Sequence, residues 1–237
     1  MRTTNQQRCL LSVERGLTDS SSVKEFDDFH FAVEQKLWSL NYLARQIQSL
    51  QPRRTRAVAR LNHKKMVTSR SDIDEFRLYA NLFLDCFLMN AMAVLDAFAH
   101  EVNLIYGLKR RTDKQVYITT VRSGLSKEHP NSSLASYLST ELVKRWFFSF
   151  ATYRHCTTHE SLLIGNIIGH YAVPSLKETI YVPLPDDPRN RPFTYCSKRE
   201  LKSYVNAVKE HICEVVRISY GRIIQDVSAA GGKVPIL

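Results

Sequence analysis

The chain has 237 residues, 44% of them apolar, and a formal net charge of +10. That apolar content suffices to bury a core and excludes a chain too polar to fold. Only eight Gly and eight Pro interrupt it, and Cys9, Cys86, Cys156, Cys196 and Cys213 are odd in number and widely spaced with no C-x-x-C, so neither a disulfide framework nor a zinc knuckle follows.

The first residues, Met1 to Arg8, are polar and lack the apolar core of a signal peptide. Residues 1–20 show no period and are expected to be mobile. Ser22 and Glu25 then form a capping-box pattern, followed by Phe26, Phe29, Val33, Leu37, Leu40, Leu43 and Ile47 at helical spacing. The spacing predicts a helix to about Leu50, ended by Pro52.

A basic connector follows, with Arg53, Arg54, Arg56, Arg60, Lys64, Lys65 and Arg70 and no acid among residues 51–70. A solvated surface loop and a phosphate-contacting segment both fit this composition. Arg53, Arg54 and Arg56 are the candidate phosphate contacts.

Ser71, Asp72, Asp74 and Glu75 mark a second helix start, because carboxylates suit the positive end of the helix dipole. The helix is expected to run to Tyr106 and stop at Gly107. Its apolar middle, Leu82 to Ala99, is interrupted by Asp85, Asn90 and Asp96, so it reads as a buried core helix and not as a membrane span. Asp96, His100 and Asn103 share one face. Asp96 needs a partner if buried, either His100 locally or Arg154 or His155 at a distance.

Residues 109–133 read as a loop with a short apolar piece, Val116 to Val121. A third helical run begins after Pro130-Asn131. Leu134, Leu138 and Leu142 lead into Trp146, Phe150 and Tyr153 on one face, and the run is expected to end near Gly165. From Gly169 to Cys196 prolines recur at 174, 183, 185, 188 and 192, which predicts a small extended insertion over residues 174–196 with one strand at Glu178 to Val182. Ser197 and Glu200 form another capping box. Leu201, Tyr204, Val205, Val208, Ile212, Val215, Val216 and Ile223 make an amphipathic last helix. The tail, residues 228–237, is expected to be mobile. There is no internal repeat, and the expected organisation is one all-α domain with a core over residues 22–227.

The chemistry-bearing stretch is Arg154-His155-Cys156-Thr157-Thr158-His159, which follows the aromatic run Trp146 to Tyr153. It places a permanent cation beside two groups that exchange protons near neutral pH. Arg56…His63 and Arg122…His129 have comparable Arg–His spacings, but Ala57 and Ser123 follow their arginines and both fall in loop-like sequence. Only Arg154 sits on an apolar-periodic helix.

This Arg-x4-His pattern resembles the signature of the HEPN superfamily, whose arginine is followed directly by a polar residue, a place His155 fills here. The resemblance implies an all-helical bundle of four or five helices, with the motif late in the third major helix. It also implies metal-independent RNA cleavage. The ribose 2′-hydroxyl attacks the adjacent phosphate, leaving a 2′,3′-cyclic phosphate and a 5′-hydroxyl. In that reading His159 is general base or acid, His155 orients the phosphate or shares the proton work, and Arg154 holds the phosphate. Tyr153, Thr158 and Asp96 would support them.

No cofactor or metal is expected. The expected partners are RNA, a second copy of the chain with the motif helices near the two-fold axis, and an antitoxin or defence-system protein. The expected setting is the cytoplasm, with no membrane attachment.

One geometric condition accompanies the reading. Residues five apart on an ideal helix diverge by roughly 140°. Arg154 and His159 would therefore share a site only if Thr157-Thr158 loosen the helix or a second subunit completes it. Other readings stay open. His155, His159 and Glu160 could hold a divalent metal, or the histidines could cap a helix while Arg154 pairs with Asp96. A bundle of this kind could also serve as a non-catalytic RNA-binding, nucleotide-binding or protein-docking module. Cys156 reads as packing.

Overall fold

Apolar residues three and four apart build the first helix, α1 (Ser20–Ser49). Phe26, His30, Val33, Leu40, Ala44 and Ile47 form its buried line. In the computed structural model, residues 20–50, 70–108, 116–159, 163–164, 168–171 and 178–230 are described. They contain six helices and one pair of short strands, an all-α protein with a small extended element. After α1 come α2 (Arg70–Ile105), α3 (Ile118–Glu128), α4 (Ser133–Glu141), α5 (Arg145–His159), β1 (Ile168–Tyr171), β2 (Glu178–Tyr181) and α6 (Leu201–Ala229).

The described residues fall into two compact units. The first takes those up to Leu40, from Asn90 to Phe150 and from Val208 onward; the second takes Asn41 to Met89 and Ala151 to Ala207. Helices α1, α2, α5 and α6 contribute residues to both.

In the first unit, α2 supplies Ala91, Val94, Leu95, Phe98, Ala99, Val102 and Ile105, all fully buried. Gly107 ends the helix with φ 59°, a left-handed conformation that costs glycine nothing. Leu108 N–H then reaches Asn103 O at 3.2 Å and Gly107 N–H reaches Leu104 O at 3.3 Å, the paired bonds of a Schellman stop.

The expected loop after Gly107 contains a helix instead. Val116 to Val121 continues into α3, whose Ile118, Val121 and Leu125 are buried. Thr120 Oγ1 accepts the Tyr117 N–H at 3.0 Å and closes its first turn, a cap that Ser/Asn-based reading overlooks.

The expected single run from Leu134 to Gly165 is broken. Residues 142–144 form a turn between α4 and α5. Glu141 holds that corner, accepting from Trp146 Nε1 at 2.9 Å and from Lys144 Nζ at 2.5 Å. The start of α4 is capped from within by Ser132 Oγ, which accepts Ala135 N–H at 3.1 Å. It is capped from outside by Asp226 on α6, which accepts from the backbone of Ser133 at 2.8 Å and of Leu134 at 3.2 Å. The same carboxylate takes the hydroxyls of Ser132 and Tyr106, each at 2.6 Å.

A polar cluster lies inside this unit. Glu101 and Tyr220 are fully buried and His30 nearly so. Glu101 pairs with His30 Nδ1 at 2.8 Å and accepts the Tyr220 hydroxyl at 2.7 Å, joining α1, α2 and α6. Burial raises the Glu101 pKa from its ordinary 4.5, against the opposing pull of His30 and Tyr220.

In the second unit, Phe76, Ala80, Leu84, Phe87 and Leu88 of α2 are buried with Tyr153 and Cys156 of α5 and with Leu201 and Val205 of α6. Asn81 binds both backbone groups of Ile164, at 2.9 and 3.2 Å. The carboxyl end of α1 is closed by Lys202, whose ammonium donates to Gln48 O at 2.9 Å and Leu50 O at 3.2 Å.

The extended element is a pair. Strand β2 runs antiparallel to β1, with Ile168 opposite Tyr181 and Tyr171 opposite Glu178. It therefore begins before the expected insertion over residues 174–196. The proline-rich segment after β2 is pinned by Asp186, which accepts the backbone N–H groups of Cys196 and Ser197, both at 2.7 Å. That use of Ser197 displaces the expected cap: α6 starts at Leu201, and Glu200 caps it by accepting Ser203 N–H at 2.7 Å.

The apolar stretch Asp74–Ile105 has the length and composition to cross a membrane. Much of it is spent on the two cores just described.

Candidate active site

Helix α5 carries the Arg-His stretch. Its aromatic start gives it a buried line, Phe147, Phe150, Tyr153 and Cys156 at three-residue spacing. That line fixes which side of the helix faces protein. His155, Thr158 and His159 are exposed, and Arg154 and Thr157 are half-buried. Cys156 is wholly buried, as packing requires.

The helix remains regular through His159. Thr157 Oγ1 and Thr158 Oγ1 both donate to Arg154 O, at 3.0 and 2.9 Å. The threonines thus return their hydroxyls to the preceding turn, and the helical hydrogen bonding persists. The loosening at Thr157-Thr158 that was one way to bring the two together is absent within α5, and the roughly 140° between positions 154 and 159 remains.

His155 and His159 do stand together. Their ring centroids are 5.0 Å apart, with the planes inclined at 52°. Four residues rotate a helix by only about 40°, so both rings occupy one exposed stripe.

Arg154 is half-buried. Its Nε is buried and has no hydrogen-bond partner among the described residues. Asp96 lies in the first unit, where Oδ1 takes the Ile118 N–H at a long 3.4 Å. Its helix neighbour His100 stacks on Phe29 at 5.0 Å, and burial lowers its pKa against the pull of Glu25.

Tyr153 has a structural duty beside the stretch. Its hydroxyl donates to Pro185 O and accepts from Arg199 Nη1 at 2.9 Å. The Arg199 guanidinium also lies 5.3 Å from the Tyr153 ring and 5.7 Å from the Tyr204 ring. These contacts fasten the segment after β2 to α5. Arg199 carries no local pattern in the sequence, being a lone arginine at the end of a proline-rich loop.

Thr158 Oγ1 also reaches Met89 Sδ at 3.3 Å. Met89 belongs to an exposed apolar stripe of α2 with Leu78, Tyr79 and Leu82. Arg53, Arg54, Arg56 and His63 lie outside the described residues. Among the described residues, no three His, Cys, Asp or Glu side chains are grouped to hold a metal ion.

No protein-family model matches the chain, and neither the curated proteins nor the solved structures yield a match.

Proposed function

We propose that the chain is a metal-independent endoribonuclease of HEPN type. The observation that carries this reading is the exposed imidazole pair, His155 and His159, next to an arginine whose guanidinium Nε has no partner. Transesterification of RNA moves two protons, one from the 2′-hydroxyl and one to the 5′-leaving oxygen. Two adjacent imidazoles in opposite protonation states supply both transfers, a contribution typically of about 10²–10⁴ in rate.

Arg154 holds the scissile phosphate and stabilises charge growing on its non-bridging oxygens. Because it diverges from His159 on a regular helix, the complete site needs a second copy of α5 across a two-fold axis. The net charge of +10 attracts the RNA, and the Arg53–Arg56 segment contributes phosphate contacts. In this reading the protein works in the cytoplasm as a toxin or defence effector restrained by a partner protein.

The test is cleavage of a defined RNA in EDTA. The products should carry a 2′,3′-cyclic phosphate and a 5′-hydroxyl, and a 2′-deoxy substitution at the cut nucleotide should stop the reaction. Cleavage that tolerates the deoxy substitution would refute the mechanism.

A second reading has one observation of its own. The exposed stripe Leu78, Tyr79, Leu82 and Met89 suits a module that docks another protein or binds RNA without cutting it. That reading predicts a stable complex or salt-sensitive RNA binding with no product.

A further inference from the structure

The imidazole pair of α5 has a second chemical capacity. We infer that His155 and His159 jointly bind a divalent transition-metal ion of the Zn²⁺ or Ni²⁺ kind through one ring nitrogen each.

The geometry carries the inference. A metal–nitrogen bond of about 2.0–2.1 Å along the lone pair puts the ion about 3.2 Å from each ring centroid. Two centroids 5.0 Å apart then subtend about 100° at the ion, between the roughly 90° of octahedral and the roughly 109° of tetrahedral coordination. The observed separation therefore suits one ion shared by both rings once each imidazole turns about its side-chain torsions to aim one nitrogen at it. The helix enforces it, since neither residue needs to leave α5.

Exposure of both rings leaves room for water in the remaining positions. With no third ligand grouped there among the described residues, this is a two-imidazole chelate of modest affinity. Imidazole selects the later first-row divalent ions, whereas Mg²⁺ prefers oxygen ligands and keeps its own water.

The consequence for activity rests on the proposed ribonuclease reading. An ion held by both imidazoles occupies the lone pairs that proton transfer requires. Zn²⁺ or Ni²⁺ would then inhibit cleavage, and EDTA would restore it.

The test separates the two claims. Isothermal titration of the full chain with Ni²⁺, Zn²⁺ and Mg²⁺ is compared with His155→Ala and His159→Ala, each checked for helical content by circular dichroism. We expect one Ni²⁺ or Zn²⁺ per chain, weakened by about tenfold or more in either variant, and no Mg²⁺ binding. Wild-type affinity in either variant overturns the inference, as does the absence of Ni²⁺ and Zn²⁺ binding by the wild type. Binding is read without any cleavage, so a chain that chelates but cuts no RNA sinks the ribonuclease and leaves the metal site standing.

Discussion

His155 and His159 stand one helical turn apart on the exposed face of α5, their rings 5.0 Å from each other. Arg154, adjacent in sequence, lies half-buried with its Nε unpartnered. The two imidazoles and the guanidinium therefore leave α5 in different directions from its axis, although all three residues fall within six positions.

That separation makes the arginine testable apart from the histidines. Arg154→Lys keeps a positive charge but loses the planar fork that grips two phosphate oxygens. The expected loss in cleavage rate is about 10²–10³, with RNA affinity changed far less, as single-turnover kinetics would show. Equal activity in the lysine variant would remove the guanidinium from the mechanism.

The basic connector should reveal itself through salt. Replacing Arg53 and Arg54 with glutamine removes two candidate phosphate contacts. The slope of log affinity against log salt should then fall by about 1.4 for single-stranded RNA. An unchanged slope, measured by fluorescence anisotropy from 50 to 300 mM salt (roughly the range where counterion release dominates), would return the segment to a solvated loop.

The buried cluster of the first unit should set a pH dependence of stability. Burial raises the Glu101 pKa above its ordinary 4.5, so the folded state binds its proton more tightly than the unfolded state does. The stability from this group is fully present below pH 4.5 and is lost as pH rises through the raised folded value. Glu101→Gln should flatten that decline. Urea denaturation of both proteins across this range gives the difference directly.

Asp226 should matter more than its position near the end of α6 suggests. It accepts from Ser133 and Leu134 N–H at 2.8 and 3.2 Å and from two hydroxyls at 2.6 Å. Asp226→Ala leaves the start of α4 without its outer cap and the buried Tyr106 hydroxyl without this acceptor. A loss of about 2–3 kcal/mol in urea unfolding is expected.

The long helices were legible because each carries a sustained apolar period and an unmistakable stop. Gly107 is the clearest case, since its left-handed conformation closes α2 at the residue the sequence marks. What escaped were features decided by distant partners. Helix α3 has Tyr117 where Ser, Thr, Asp or Asn would announce a helix start, and Thr120 closes the turn from three residues further on. The break between α4 and α5 depends on Glu141 gathering Trp146 and Lys144, within a leucine-aromatic run that otherwise reads as continuous. Ser197 looked like a cap until Asp186 claimed its backbone N–H.

The candidate site was legible to the same degree. The shared stripe of His155 and His159 follows from helical spacing and holds. The bonding of Thr157 and Thr158 back to Arg154 O could have gone either way, because threonine hydroxyls both tolerate and disturb helices. The partner of Asp96 was not legible, because an aspartate on a half-exposed face has many possible donors, and one of them here is the Ile118 N–H.

The central claim turns on His159. It is exposed on a regular helix, so His159→Ala should fold and bind RNA as the wild type does. In EDTA, with RNA above its dissociation constant, the account predicts that the wild type cleaves and that His159→Ala is slower by about 10²–10⁴. Undiminished cleavage by the variant, or no cleavage by the wild type, would contradict it.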